Sequence, residues 1–467
     1  MDFRCIFAAA IMKTPEQKII EELLGIIQVQ AQQIDILNKK ITELEKKLEH
    51  YTTRKDSNNS SVPPSKDENR PPRTGSLRQK SGRNIGGQAG HEGKTLEMSE
   101  TPDEVIEHRA CFCPECGKGL HDKPFEIIGK RQVIDIPVIK QIVTEHRVYR
   151  CKCSCGKIVE SEFPVGVDSP VRYGKNIESL IGYFNVRQYL PFKRLQEMMH
   201  DLFGVPISEG GLHLLINRLA NKGADAYEMI RKSILSSRVV GTDETGMKIN
   251  GKSHWFWTWQ NKRATYIAAS ANRGTSTIVK HMSDISENAI LVHDCWKAHF
   301  QTNVDRHQLC TAHLERETKY LEQRYKTDWP VRFRNMLKQA QELKKQLMPA
   351  DYYCPNHFRS SLEKELDNLL AEPLLPDQKE LVTFQKRIIK YHDYIFTFLY
   401  HPDVPPDNNG SERAIRNVKV KQKISGQFKI LEAAQNFAIL RSIVDTAIKN
   451  EQNVLLALNA IAVYRID

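Results

Sequence analysis

Three short segments carry acidic residues whose types and spacing suit chemistry on phosphate esters. Residues 239–245 (VVGTDET) and 289–296 (AILVHDCW) are apolar runs that lead to an acid, as when a buried strand delivers a carboxylate to the edge of a sheet. Residues 405–413 (PPDNNGSER) join a Pro/Asn/Gly turn to the start of a helix whose first turn carries a third acid. The three acids are Asp243, Asp294 and Glu412. Together they predict a site for two divalent metal ions, Mg²⁺ or Mn²⁺, that activate an oxygen nucleophile for attack on a phosphodiester.

Each of these acids also has a simpler interpretation. Glu244 follows Asp243, and either carboxylate could bind the metal; the strand register favours Asp243 and leaves Glu244 close to the ligands. Asp294 would otherwise cap the helix that follows it, and Glu412 would otherwise interact with a helix dipole. We favour the shared metal site because the three acids occur in this order and context.

Further candidate residues lie around the third acid. The helix that carries Glu412 holds five cations and no second acid before Glu432, which favours contacts to DNA phosphates over a solvated basic face. These cations are Arg413, Arg416, Lys419, Lys421 and Lys423. Residues 310–313 (CTAH) form a Cys-x-x-His pair that could join Cys295 and His299 in a second zinc site, but nothing fixes those four together. We therefore expect His313 close to the active site.

Length and charge set the context for this chemistry. A chain of 467 residues is too long to form one compact core, so three or four folded units are expected. The net charge of +11 favours a polyanionic partner such as DNA, although solubility is an alternative reason for it. No stretch approaches the apolar length of a membrane span, and six of the ten cysteines crowd into residues 111–155, as in a metal site of a reducing cytoplasm. We expect a cytoplasmic, nucleoid-associated protein, whose translation starts at Met1 or Met12.

The elements that must position these residues begin with a heptad repeat in residues 16–53. Isoleucine or leucine recurs every seven residues from Ile20 to Leu48, and a second apolar series lies three residues further on. Ile at a with Leu at d favours a parallel two-stranded coiled coil, in which Gln30 at one d position can fix the register. One amphipathic helix packed on its own domain is the alternative. The coil predicts a dimer.

Residues 54–96 change composition abruptly. Pro, Gly, Ser and Asn dominate with scattered cations, which predicts a flexible basic linker that cannot bury a core. This linker either follows a DNA backbone or is a solvated tether. The cations that would serve the first role are Arg70, Arg73, Arg78, Lys80 and Arg83.

Residues 97–168 contain the cysteine cluster. Residues 113–117 (CPECG) have the form of a zinc knuckle, and residues 151–156 (CKCSCG) form a less regular second half. Two strand-like stretches, IIGKRQVIDIP and VIKQIVTEHRVYR, lie between the halves and predict a zinc-ribbon layout. Tetrahedral zinc needs four ligands, for which we take Cys113, Cys116, Cys151 and Cys155, with Cys153 as the alternative to Cys151. A cytosolic redox pair is the competing interpretation.

Residues 170–235 have a helical pattern. A turn at Gly204 separates two helices, and Ser208 is a plausible N-cap of the second, whose apolar face includes Leu212 and Leu219. This spacing suits a DNA-binding helix-turn-helix, but helical hairpins are common in any α domain.

The acids themselves fall in a predicted ribonuclease-H-like core of residues 236–320 and 401–450. Three apparent strands follow one another from residue 239, and the tryptophans of the second are expected to pack in the core. Asp294 and Glu412 are 118 positions apart, which is too long for a loop, so residues 321–400 are interpreted as an inserted α-helical subdomain. Residues 451–467 are interpreted as a C-terminal tail. The fold class is thus multidomain α/β.

Several of these motifs, in the same order, resemble the insertion-sequence-66 (IS66) family of bacterial DDE transposases over nearly the whole chain. The marks are the N-terminal coil, SNNSSVPPSKD at 57–67, GGQAGHEG at 86–93, CPECG at 113–117, LPFKR at 190–194, DET at 243–245, CTAHLER at 310–316 and DNNGSER at 407–413. The resemblance implies that Asp243, Asp294 and Glu412 are a DDE triad and that the cysteine cluster is a DNA-contacting zinc module. It also implies small accessory proteins as partners.

Two departures from that family accompany the likeness. The second cysteine pair is usually Cys-x-x-Cys, whereas this chain has Cys-x-Cys-x-Cys, and His-Asp-Cys-Trp surrounds Asp294 where Asp-Gly-Tyr is usual. The resemblance implies an enzyme that binds the terminal repeats of an insertion sequence and then cleaves and joins DNA. A catalytically inactive DNA-binding regulator and a nuclease that cuts without joining are the alternatives.

Overall fold

The computed structural model describes residues 15–52, Lys55, Asn59 and residues 96–464. The linker predicted at 54–96, including its five cations, lies outside the described residues apart from these two positions and residue 96. The described chain forms two compact units. One holds residues 15–52, 164–197 and 207–464, and the other holds residues 96–163 and 198–206.

The N-terminal element is one continuous helix, α1 (Pro15–Thr52). The isoleucines of the heptad repeat remain more than half exposed, from 51% at Ile41 to 59% at Ile27. The alternative interpretation, a helix packed on its own domain, therefore does not describe this helix, because its apolar stripe faces solvent.

The cysteine-containing unit has little regular structure. β1 (Arg150–Lys152) and β2 (Ile158–Glu160) form an antiparallel hairpin in which Cys151 pairs with Val159. No strand forms over residues 121–149, so the two strands predicted between the cysteine groups are absent there. Their apolar side chains, including Ile128 and Ile142, are almost fully exposed and have no layer to pack against.

A helical region precedes the sheet. Its elements are α2 (Lys175–Gly182), a π-helical turn (Tyr183–Arg187), α3 (Phe192–Phe203), α4 (Glu209–Lys222) and α5 (Ala224–Leu235). The predicted N-cap is confirmed, because Ser208 Oγ accepts the Gly211 N–H at 3.1 Å. Gly204 lies between α3 and α4 with φ of +62°, which a glycine adopts without strain. Leu212 and Leu219 are buried as expected.

A five-stranded mixed sheet follows. Its strands are β3 (Val239–Ile249), β4 (Lys252–Gln260), β5 (Thr265–Ser270), β6 (Ile290–His293) and β7 (Arg306–Leu309), with α6 (Thr275–Met282) before β6. Their order is β5-β4-β3-β6-β7, so β3 is central. It pairs antiparallel with β4 and parallel with β6. Trp257 and Trp259 of β4 are buried and stacked at 5.7 Å, which confirms core packing.

One boundary in this sheet differs from the prediction. The sequence places Asp243 at the end of a strand, whereas β3 runs on to Ile249. The extension forms because Met247 and Ile249 are buried and the whole segment pairs with β4 through Ile249–Lys252. Asp243 instead lies where the parallel pairing with β6 stops, two residues after the Gly241–Val292 pair.

Five helices occupy the stretch between β7 and the third acid. They are α7 (Thr311–Tyr325), α8 (Trp329–Gln346), α9 (His357–Ala371), α10 (Lys379–Lys390) and α11 (Thr397–Tyr400). Trp329, Phe333 and Phe384 pack together at their centre. The same core cluster includes Ile290 and Val292 of β6, so the helices share a core with the sheet.

Three further helices complete the first unit. They are α12 (Asn409–Ser425), α13 (Leu431–Lys449) and α14 (Val454–Val463). Ser442 and Thr446 of α13 accept backbone N–H groups of β5, which covers that edge of the sheet. The expected tail at 451–467 is largely the apolar helix α14, which packs against α2. No helix in the described ranges is long and apolar enough to cross a membrane.

Candidate active site

Two of the predicted acids arrive on neighbouring parallel strands. Asp243 lies on β3 and Asp294 directly follows β6, and each stands two residues beyond the last parallel pair, Gly241–Val292. In parallel strands, residues at equal distances beyond a pair lie side by side, so the two carboxylates project from the same part of the sheet. The backbone N–H of Trp296 donates to Asp294 Oδ1 at 2.9 Å, which orients that carboxylate.

The third acid is brought in by the first turn of α12. Glycines make this close approach possible, because a Cβ on Gly241 would lie 2.8 Å from Ser411 Oγ and 2.5 Å from Gln260 Nε2. A Cβ on Gly410 would also lie 2.5 Å from Gln260 Nε2. The start of α12 therefore packs directly on the central strand β3, and Glu412 is the residue after Ser411 in this helix.

Both other acids contribute to the electrostatic surroundings of Asp243, although the three carboxylates do not form a common donor group within 4.8 Å in the described residues. Burial raises the pKa of Asp243 well above its ordinary value, and the charges of Asp294, Glu244 and Glu412 raise it further. A carboxyl group with this surrounding resists ionisation unless a cation joins it. A cation bound beside these carboxylates would offset this repulsion.

Glu244 has a different environment from its neighbour. Its carboxylate is 2% exposed and accepts hydrogen bonds from Arg273 at 2.7 Å and from His299 Nε2 at 3.1 Å. Burial alone would raise the pKa of Glu244, but these two partners outweigh it and the net shift is downward. Arg273 in turn lies 3.8 Å over the Trp296 ring. Glu244 thus joins β3 to the segment after Asp294.

Residues of α7 approach the third acid from the other side. Arg316 donates to Glu412 Oε1 at 3.3 Å, and His313 Nδ1 lies 3.8 Å from the same oxygen. Burial, followed by the Arg316 charge, lowers the pKa of His313 to about 4, so the imidazole is neutral at pH 7. Cys310 Sγ completes a group whose donor atoms all lie within 4.8 Å of one another, the only such group of three in the described ranges. The structure does not join Cys295 and His299 to it.

The predicted DNA-contacting cations of α12 divide by exposure. Arg413, Arg416 and Lys423 are exposed, and Lys419 Nζ donates to the Gly246 carbonyl at 2.8 Å. Lys421 does not fit the predicted role, because it is 6% exposed and points inward. Its Nζ lies 3.4 Å from the Asn185 carbonyl, and burial lowers its pKa to about 8.

The helical period explains the burial of Lys421. Ser411, Ala414, Val418 and Lys421 recur three or four residues apart and form the buried face of α12. The sequence contained this signal, although the prediction grouped the cations by charge alone.

The predicted zinc ligands lie on two tight turns of the second unit. The Gly117 N–H donates to the Cys113 carbonyl and the Gly156 N–H to the Cys153 carbonyl, at 2.9 and 2.8 Å. Cys116 and Cys155 directly precede these glycines. The backbone N–H of Cys116 is the main cause that lowers the pKa of Cys113. The backbone N–H of Cys155 does the same for the pKa of Cys153. Cys153 therefore matches Cys113, whereas Cys151 lies within β1.

The residues of the two candidate metal sites fit different ions. Three carboxylates supply only oxygen donors, which Mg²⁺ and Mn²⁺ prefer, and a bound cation would offset the repulsion that helps to raise the pKa of Asp243. Paired cysteines on glycine turns supply the sulfur donors that Zn²⁺ prefers. The sulfurs of the two turns do not form a common donor group in the described residues.

Several residues of this site were not foreseen from the sequence. Arg273 and His299 bind Glu244 across 29 and 55 residues, and Arg316 reaches Glu412 across 96 residues. Such contacts depend on the tertiary fold and leave no local pattern. His299 was considered as a zinc ligand, and Arg316 as part of a motif without a role.

Comparison with known families gives two matches. The family model described as "Transposase IS66 family" matches residues 170–436, which include the whole sheet and all three acids. A family of unknown function, DUF6444, matches residues 12–97. No curated protein matches the chain.

Proposed function

Since the chain belongs to the IS66 family of transposases, we propose that it cleaves and joins DNA at a two-metal site formed by Asp243, Asp294 and Glu412. The observation that carries this proposal is the parallel register, which sets two of these acids side by side on β3 and after β6. The third acid lies on the first turn of α12, and its charge also raises the pKa of Asp243, which supports the proposal.

The proposed core is ribonuclease-H-like. Three consecutive antiparallel strands followed by two parallel ones, in the order β5-β4-β3-β6-β7, support this assignment. The sheet places its first acid on the central strand and its second on the adjacent one. Helices α8 to α11 form the inserted subdomain between the second acid and the third.

When bound, the two metal ions supply charge stabilisation to the scissile phosphate and activate the attacking water or 3′-hydroxyl. Asp243, Asp294 and Glu412 would hold them. Arg316 donates to Glu412 at 3.3 Å, and its guanidinium would also contact a DNA phosphate held beside that acid. His313, kept neutral by burial, is placed to hold a proton at its unpartnered Nδ1 beside Glu412.

DNA contacts are proposed for three side chains on α12 and for the helix-turn-helix region. Arg413, Arg416 and Lys423 are exposed on the helix that begins at the site, where guanidinium and ammonium groups suit phosphates. The α4 helix with its Ser208 cap is the proposed groove-binding element, although it also packs against α2 and α13.

The proposed partners of the first 168 residues are a second copy of the chain and zinc. The exposed heptad stripe of α1 supports a parallel coiled-coil dimer. For zinc we propose Cys113, Cys116 and Cys155 with Cys153 as the fourth ligand, because the second turn is built on Cys153. The zinc module would then contact the terminal repeats of the element.

The test is strand cleavage and joining on labelled DNA that carries the ends of the encoding element. Asp294→Ala is expected to lower metal-dependent cleavage at least about 1,000-fold, because a lost ligand removes several kcal/mol of transition-state stabilisation. The matched control is Asp284→Ala, at an exposed aspartate before β6 that is expected to leave cleavage unchanged.

Other outcomes would identify the alternatives. Specific end binding without cleavage, even with Mn²⁺ and accessory proteins supplied, would indicate a DNA-binding regulator. Cleavage without joining would indicate a nuclease. Equal cleavage by the two aspartate variants would contradict the proposed metal site.

A further inference from the structure

Asn408, the residue before α12, bonds directly to the two segments that carry the first and third proposed metal ligands. It is 2% exposed, and its side-chain Nδ2 donates to the Thr242 carbonyl at 2.7 Å. Its Oδ1 accepts the hydroxyl of Ser411 at 2.7 Å. Thr242 immediately precedes Asp243, and Ser411 immediately precedes Glu412. One amide group therefore joins the backbone beside the first acid to the side chain beside the third.

The backbone of Asn408 adds two further connections. Its carbonyl accepts the N–H of Glu412 at 3.1 Å, which starts the helix on which that acid lies. Its N–H donates to Cys310 Sγ at 3.2 Å. The Cys310 N–H in turn donates to the carbonyl of His293 at 2.8 Å, and His293 immediately precedes Asp294. The second acid is thus connected to Asn408 through one intervening residue.

The chemistry of the site explains why a neutral amide suits this position. Three carboxylates at close range repel one another before metal binds, so the segments that carry them need an attachment that adds no negative charge. An amide can donate to a carbonyl and accept from a hydroxyl at the same time, which neither a carboxylate nor an aliphatic side chain does. Buried bonds of this kind hold their partners in one geometry.

We propose that Asn408 is a positioning residue that fixes the spacing of Asp243, Asp294 and Glu412 and so sets the metal affinity of the site. The inference rests on the proposed function and assigns to Asn408 a role in that site. Groups that orient metal ligands typically contribute about 10- to 100-fold in metal affinity or activity.

The experiment compares two adjacent asparagines. Asn408→Ala removes the bonds to Thr242 and Ser411, whereas Asn409→Ala removes an exposed side chain that bonds Asp407. Ser411→Ala is the milder variant, since it deletes one hydroxyl partner of Asn408 and keeps the amide. Mn²⁺ affinity is measured by calorimetry on the full chain, with Asp294→Ala to identify the heat that belongs to this site. Cleavage turnover and DNA affinity are measured in parallel.

We expect Asn408→Ala to weaken Mn²⁺ binding about 10- to 100-fold and to lower turnover, with DNA affinity unchanged. Excess Mn²⁺ should restore much of the turnover, which a misfolded protein would not show. Ser411→Ala should weaken Mn²⁺ binding less, and Asn409→Ala not at all.

Two results would overturn the inference. One is equal Mn²⁺ affinity for the Asn408 and Asn409 variants while Ser411→Ala also matches the unaltered chain. The other is that Asp294→Ala and the unaltered chain give the same heat of Mn²⁺ binding. Mn²⁺ binding that follows the expected order in a chain that does not cleave DNA would support Asn408 while contradicting the proposed function.

Discussion

Replacing Lys421 with methionine should stabilise the fold without weakening DNA binding. Lys421 was predicted to contact DNA, but its side chain is buried on the inner face of α12, with Nζ 3.4 Å from the Asn185 carbonyl. Methionine keeps the unbranched shape and removes the charge, so the packing of the helix is retained.

The magnitude follows from the pKa of this lysine. Burial lowers it from 10.5 to about 8, a difference of 2.5 units. At 1.36 kcal/mol per unit this is about 3.4 kcal/mol of penalty for the charged form, and losing a long hydrogen bond removes about 1 kcal/mol. We therefore expect Lys421→Met to raise the free energy of unfolding by about 2 kcal/mol at pH 7.

The sign of the pH dependence is fixed by the direction of the shift. The folded pKa of Lys421 lies below the unfolded value, so the penalty is present in full below about pH 8. It decreases as the pH rises from 8 to 10.5, because the buried amine is then neutral and the cost of removing the proton from the unfolded chain falls toward zero at the ordinary pKa. The stabilisation by Lys421→Met should accordingly be large at pH 7 and small at pH 10.

Urea unfolding followed by tryptophan fluorescence is a suitable assay, because all five tryptophans lie within residues 255–329 of the first unit. The control is Lys423→Met, an exposed position on the same helix, which should change stability by less than about 0.5 kcal/mol and weaken DNA binding. The reasoning fails if Lys421→Met destabilises the chain at pH 7, or if it reduces DNA affinity as much as the Lys423 variant does.

Three further predictions concern other parts of the chain. Gly241→Ala should lower the free energy of unfolding in urea by about 1–3 kcal/mol, because its Cβ would meet the start of α12. The control is Gly246→Ala on the same strand, whose Cβ would meet nothing within 4 Å and should change that free energy by less than about 0.5 kcal/mol. Glu244→Gln should lower the free energy of unfolding by about 3 kcal/mol at pH 7. In the unaltered chain the contribution of Glu244 is lost as the pH falls below 4.5 through its lowered pKa, and the variant should not show this loss. Thermal unfolding between pH 3 and 7 checks both effects. Cys153→Ser should reduce the zinc content of the purified chain more than Cys151→Ser, and equal losses would refute the assignment from turn geometry.

The sequence predicted the parts of this fold that depend on local patterns. The helix α1, the Ser208 cap and the helices between the second and third acids follow from periodicity and capping residues. The predicted order, three consecutive strands and then a fourth that leads to Asp294, also agrees with the sheet. The apolar segment at 454–463 was missed as a helix because it is short and was assigned to a tail.

Other features required tertiary information. The strand that carries Asp243 continues to Ile249 because β4 offers a partner, which the apolar run alone did not reveal. The bond from Asn408 to Thr242 spans 166 residues, so an ordinary turn asparagine and this one look alike in sequence. The strand-like residues of the cysteine unit, Ile142 among them, failed as strands because strand propensity needs a paired neighbour and a layer to cover it.

The late position of Glu412 has a consequence for the synthesis of the protein. At roughly 5–20 residues per second, a ribosome that has added Asp294 takes roughly 6–24 seconds to add the next 118 residues and reach Glu412. During this interval the nascent chain holds both aspartates but lacks Asn408 and the helix that closes the site. A product that ended anywhere in that stretch would hold only two of the three proposed metal ligands. Under the proposed function, DNA cleavage would therefore become possible only after Glu412 has been added.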